Sequence, residues 1–117
     1  MSDTAPLPTT EQLEISVHDG SLHLNASTLW VDCREQDEHR ICHIEGAKLL
    51  PLSNFASTVD QILPEDKSQA IIVHCHHGMR SLQAVQFLRQ KGYPNTWSLN
   101  GGIDLWSQEI DNNVPRY

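Results

Sequence analysis

The chain has 117 residues, enough for one domain whose core buries roughly two-thirds of the unfolded surface. Apolar and charged fractions of 38% and 20% are those of a soluble globular protein, and a net charge of −7 argues against a nucleic-acid or anionic-membrane surface. Three widely spaced cysteines, Cys33, Cys42 and Cys75, do not make a disulfide framework, and with no secretory signal or membrane-length apolar run they read as reduced thiols of a cytoplasmic protein.

Residues 1–10 are polar with Pro6 and Pro8 and read as a flexible leader. Leu13, Ile15 and Val17 alternate, Asp19-Gly20 follows, and Leu22 and Leu24 alternate again, which predicts a hairpin or a short helix in place of one arm. Leu29-Trp30-Val31 reads as a buried strand ending at Asp32, and the polar run Cys33 to Arg40 as a short exposed helix. Ala47 to Leu50 is a strand stopped by Pro51, and Ser53 is placed to cap a helix carrying Phe55, Val59, Ile62 and Leu63 on one stripe. Ile71-Ile72-Val73 is a core strand, and Leu82, Val85 and Leu88 recur at helical spacing up to Lys91-Gly92. Thr96 to Leu99 is a last strand, Asn100-Gly101-Gly102 turns into a helix through Ile103, Leu105 and Trp106, and residues 111–117 form a polar tail after a domain spanning 11–110. Strands alternating with helices imply an α/β fold with a mainly parallel sheet of about five strands.

The chemistry concentrates at Cys75. This residue ends a strand in a tight loop that opens a helix, where unpaired backbone N–H groups and the helix dipole stabilise an anion. With Arg80 five residues on, its pKa should fall from about 8.5 into the range of roughly 3.5–7.5, leaving a thiolate at neutral pH. Cysteine is also a common core residue, but Cys75, Gly78, Arg80 and Ser81 falling together on one corner favour chemistry. The Cys-x-x-x-x-Arg spacing is one residue shorter than the loop of a Cys-dependent phosphatase or arsenate reductase, which must admit a tetrahedral oxyanion.

Four blocks in order resemble the rhodanese (sulfurtransferase) family: Val31-Asp32-Cys33-Arg34-Glu35, His43-Ile44-Glu45-Gly46-Ala47 with Pro51, Cys75-His76-His77-Gly78-Met79-Arg80-Ser81, and Leu99-Asn100-Gly101-Gly102-Ile103-Asp104-Leu105-Trp106. The resemblance implies a three-layer fold with helices on both faces of the sheet. It also implies an enzyme of the thiosulfate sulfurtransferase type. Cys75 would take sulfane sulfur from thiosulfate or a persulfide donor, hold it as a persulfide, and pass it to cyanide or a protein thiol. The competing reading is a rhodanese-like binding or regulatory module that transfers sulfur poorly.

Roles follow residue by residue. Cys75 is the candidate catalytic nucleophile. Arg80 would orient an anionic donor and depress the Cys75 pKa, and Gly78 allows a backbone conformation closed to other residues. Ser81 either donates to the sulfur or caps the helix. His76, His77 and Met79 line the loop, the histidines tuning access or simply being exposed. Asp32 and Arg34 are expected beside the active loop as an ion pair or as loop-bracing hydrogen bonds rather than as catalysts, and His43 as structural. Cys33 reads as buried and inert, and Cys42 as a tolerated surface cysteine or a partly exposed thiol that resolves the persulfide. No cofactor is implied. His74 to His77 lack metal-ligand spacing, since neighbours in so tight a loop cannot converge on one ion. The expected partners are a small anionic sulfur donor and a protein thiol or persulfide, with a monomeric chain and neither nucleic acid nor membrane.

Overall fold

A computed structural model describes residues 7–117. The elements are β1 (Glu14–Ile15), α1 (Val17–Ser21), β2 (Thr28–Asp32), α2 (Gln36–Ile41), β3 (Lys48–Leu49), α3 (Phe55–Thr58), β4 (Ala70–His74), α4 (Met79–Gln90), β5 (Thr96–Leu99) and α5 (Gly102–Glu109). The five strands form one sheet in the order β1-β5-β4-β2-β3, and every pairing is parallel. The α/β architecture expected from strands alternating with helices is the one observed.

Strand alternation sorts the core into two layers, because successive side chains point to opposite faces. Val31, Ile71, Val73 and Cys75 pack on one face against Phe55, Val59, Ala84, Val85 and Leu88. Trp30, Ile72, Trp97 and Leu99 pack on the other against Val17, Ile103 and Trp106. Both faces of β4 are covered, which is why Ile71-Ile72-Val73 is apolar without a polar alternation. Among the described residues, no helix is long and apolar enough to cross a membrane.

The structure corrects three local expectations. No hairpin forms over 13–24: β1 pairs in parallel with β5, and Asp19-Gly20 lies inside helix α1. Ser16 decides this by accepting the Asp19 amide at 3.0 Å as an N-cap. Gly20 sits so close to the core that a Cβ there would lie 2.9 Å from Leu99 Cδ1, while Leu22 and Leu24 stay exposed. Ser53 does not cap a helix; its hydroxyl donates to Glu35 at 2.8 Å. The segment instead runs as a 3₁₀ turn (Leu52–Asn54), α3 and a second 3₁₀ turn (Val59–Gln61), and still delivers Phe55 and Val59 to the core.

Of the leader, residues 1–6 lie outside the described residues. Residues 7–10 are tied down rather than flexible, since Trp97 Nε1 donates to the Thr9 carbonyl at 3.1 Å and Arg89 Nη1 to that of Thr10 at 2.6 Å.

Candidate active site

The parallel register Asp32↔His74 sets the ends of β2 and β4 side by side, so the residues that follow, Cys33 and Cys75, emerge on the same face and share one core cluster. Each strand then turns into a helix, α2 after β2 and α4 after β4. The two loops meet at the carboxyl edge of the sheet, where crevices in open α/β folds lie.

The loop after β4 wraps round the Cys75 sulfur. The Gly78 amide donates to Sγ at 3.0 Å and the Ser81 amide at 3.4 Å, and the Ser81 hydroxyl lies 3.5 Å away. The Ser81 hydroxyl also lies 3.2 Å from the Gly78 carbonyl and 2.6 Å from the Ser98 hydroxyl, within reach of both the sulfur and the helix start. Gly78 takes φ +109°, a left-handed conformation that a side chain would strain. The outer side of the loop is pinned by α5: the Ile103 and Asp104 amides donate to the Cys75 and His76 carbonyls at 2.9 and 3.1 Å. Gly102 permits this approach, because a Cβ there would strike both carbonyl oxygens. These bonds fix the start of the loop, whose Gly78 and Ser81 amides face the sulfur.

These donors hold the Cys75 pKa at about 4. The neighbouring Cys33 thiol contributes most, burial opposes, and Ser81 and Gly78 add to the lowering. Cys33 is fully buried, and its pKa is pushed well above the thiol range by its hydrogen bond to Cys75, by burial and by the Cys75 charge. It is buried as expected, a neutral thiol in the same core cluster as the Cys75 sulfur. Cys42 is neither a surface residue nor a resolving thiol. It is 5% exposed and packs with Trp30 and Ile72 in the core cluster on the opposite face from Cys75.

Around the nucleophile every named site residue is present, but their partners differ from the sequence expectation. Arg80 is gripped by Glu38 through two bonds, Nη1–Oε1 at 2.6 Å and Nη2–Oε2 at 2.9 Å, and it is not among the main causes of the Cys75 shift. Asp32 and Arg34 form the expected ion pair, fully buried, with Nε donating to Oδ1 at 2.9 Å and Nη2 to Oδ2 at 2.7 Å. Burial alone would raise the Asp32 pKa, yet Arg34, His74 and His39 together bring it down to about 2. Arg34 reaches the end of α2 rather than the Cys75 loop, donating to the Cys42 carbonyl at 2.7 Å. His43 stays at the surface, its ring stacked on His39 with centroids 4.5 Å apart.

Sequence reasoning missed the tail. Tyr117 returns to the site: its ring stacks on His76 with centroids 3.9 Å and planes 7° apart. Its hydroxyl accepts from Arg34 Nη1 and donates to Glu38 Oε2, both at 2.9 Å. His76 is half-buried between Tyr117 and His77, and burial lowers its pKa, while Met79 stands out at 74% exposure. His76, His77 and Asp104 bring one potential ligand atom each within 4.8 Å of one another. The two imidazoles, however, are stacked with planes only 29° apart, and Asp104 is paired with Arg116 at 2.9 Å. Under this cover Cys75 is 1% exposed, its sulfur lying at the floor of the loop.

Comparison with known proteins agrees with this arrangement. A profile of the rhodanese-like domain matches residues 10–109. The adenylyltransferase and sulfurtransferase UBA4 of Candida albicans is 34% identical across 74% of this chain, which spans only 21% of that longer protein. The thiosulfate sulfurtransferase GlpE of Shewanella oneidensis is 33% identical across 67% of this chain and 74% of its own length. A crystal structure of a rhodanese-related protein from Thermoplasma volcanium superposes with a TM-score of 0.74 at 31% identity, covering 83% of this chain and 92% of that one. With the profile spanning most of its length and a loop that turns amides onto a buried cysteine, the chain belongs to the rhodanese-like domain family.

Proposed function

We propose that this chain is a sulfurtransferase that carries sulfane sulfur on Cys75. The observation that supports it most is the Cys75 sulfur resting on the Gly78 and Ser81 amides with a pKa near 4, a thiolate at neutral pH. The thiolate attacks the outer sulfur of the donor. With thiosulfate, the donor S–S bond breaks, sulfite leaves with the bonding pair, and Cys75 becomes an anionic persulfide. The acceptor, cyanide or a thiolate, then takes the outer sulfur and returns the Cys75 thiolate, so no cofactor or external redox partner is needed. The outer sulfur sits about 2 Å beyond Sγ, toward the mouth of the loop. The same amides that hold the thiolate can follow the charge onto the persulfide.

The opposing reading, a rhodanese-like module that docks without transferring sulfur, draws support from the 1% exposure of Cys75. Intact mass after incubation with thiosulfate separates the two. Transfer predicts an adduct of one sulfur atom that cyanide removes and that Cys75→Ser never forms. No adduct with thiosulfate or a low-molecular-weight persulfide would leave the docking module standing.

A further inference from the structure

Three guanidinium groups border the Cys75 loop, and each is matched to a carboxylate. Arg34 is paired with Asp32 at 2.7 Å, Arg116 with Asp104 at 2.9 Å, and Arg80 with Glu38 at 2.6 Å. His76 adds no lasting charge, because burial disfavours its protonated form. Once the Cys75 thiolate is included, these groups leave a net negative charge at the site. That arrangement is poorly suited to a small dianion.

Glu38 is the carboxylate that decides the matter, because the arginine it holds lies in the nucleophile loop itself. Its Oε1 accepts from Arg80 and from the Glu35 amide at 3.0 Å, and its Oε2 accepts from Arg80 and from the Tyr117 hydroxyl. Arg80, helped by the Glu35 amide and Tyr117 and opposed by burial, brings the Glu38 carboxyl to about 2, so it stays ionised across the working pH range. Tyr117 in turn stacks on His76 and ties the carboxylate to the active loop.

We propose that Glu38 is a positioning residue that sets donor specificity: by occupying Arg80 it disfavours dianionic donors and biases the site toward sulfane sulfur carried on a persulfide. The proposal rests on the sulfurtransferase reading above and narrows its donor. Thiosulfate arrives as a dianion, which a free guanidinium would attract; Cys75 takes its outer sulfur, the bond between the two sulfurs breaks, and sulfite departs with the bonding pair. With a persulfide, Cys75 takes the terminal sulfur and the departing group is a thiolate that water can protonate. That leaving group asks for no dedicated cation. A carboxylate clamped on Arg80 therefore penalises thiosulfate far more than a persulfide.

Glu38→Gln tests this, because glutamine keeps the acceptor that the Glu35 amide needs at the start of α2 while removing the charge. Steady-state sulfur transfer to cyanide is measured with thiosulfate, a dianion, and with benzenethiosulfonate, a monoanion that also transfers its outer sulfur. The expected result is a KM for thiosulfate lowered about five- to tenfold with kcat held within about twofold, and a change of about twofold for benzenethiosulfonate. Adding Arg80→Met should abolish the gain, since Glu38 acts through Arg80. An unchanged or raised thiosulfate KM, equal gains for both donors, or a gain that survives Arg80→Met would overturn the proposal. If the unsubstituted protein forms no persulfide with thiosulfate, with benzenethiosulfonate or with a low-molecular-weight persulfide, the sulfurtransferase reading itself fails, a result distinct from a flat Glu38→Gln comparison.

Discussion

The ends of β4 and β2 lie side by side and handle charge in opposite ways. At the end of β4 an anion, the Cys75 thiolate, is held by neutral donors: a thiol, a hydroxyl and two backbone amides. At the end of β2 charge is met by charge, with Asp32 buried against Arg34 and Glu38 clamped on Arg80. A sulfur that must attack, accept an atom and give it away is better served by dipoles, which can follow the charge as it moves one atom outward. The neighbouring corner has no such duty. Its ion pairs fix the shape of the wall, and each charge is held in place by further hydrogen bonds, Asp32 by His39 and Glu38 by Tyr117.

Removing a charge from the β2 corner should therefore cost stability, whereas removing a dipole from the β4 corner should change reactivity. The largest expected effect is Arg34→Ala. It leaves Asp32 buried with only imidazoles for side-chain partners, His39 at 3.0 Å, and a chemical denaturation series should show a loss of about 3–5 kcal/mol. The pH dependence follows from the lowered Asp32 pKa of about 2. The stabilisation from ionised Asp32 is complete above the unfolded carboxylate pKa of about 3.9 and drains away as pH falls toward 2. In Arg34→Ala, acid unfolding should begin at higher pH. A denaturation midpoint unchanged from that of the parent would remove the structural role assigned to the pair.

A smaller effect is expected from Cys33→Ala. Loss of the thiol donor should raise the Cys75 pKa by about one to two units, read from thiolate absorbance across a pH titration, with only a modest stability cost. Cys33→Ser, which keeps a donor, should bring the value back toward that of the parent. A Cys33→Ala titration that overlays the parent would mean the amides alone hold the charge.

The same comparison explains what could be read from the sequence. The β4 corner was legible because its signal is local: an apolar run, a cysteine, a glycine and a helical repeat lie consecutively from Ile71 to Leu88. The parallel sheet followed for the same reason. The β2 corner was legible only as far as the pairing of Asp32 with Arg34. That Cys33 comes up beside Cys75 depends on the register Asp32↔His74, which no run of residues announces. Glu38 sits on a helix with no buried residue and looks like any solvated glutamate until Arg80 arrives from 42 positions away. Tyr117 lies in a polar tail, where nothing nearby in sequence marks its stacking partner. The hairpin reading of 13–24 failed for a similar cause, since Asp19-Gly20 suits a turn as well as the short helix that forms, and the close packing of Gly20 on Leu99 is a tertiary matter.

The central claim is that Cys75 is already an anion in the resting protein, held so by uncharged donors. The rate of Cys75 alkylation by iodoacetamide, followed from pH 3 to pH 10 by mass, tests it most directly. The account predicts a rise centred near pH 4 and a plateau through neutrality, unaffected by Arg80→Met. A rate that climbs only around pH 8 to 9, as for a free thiol, would contradict it.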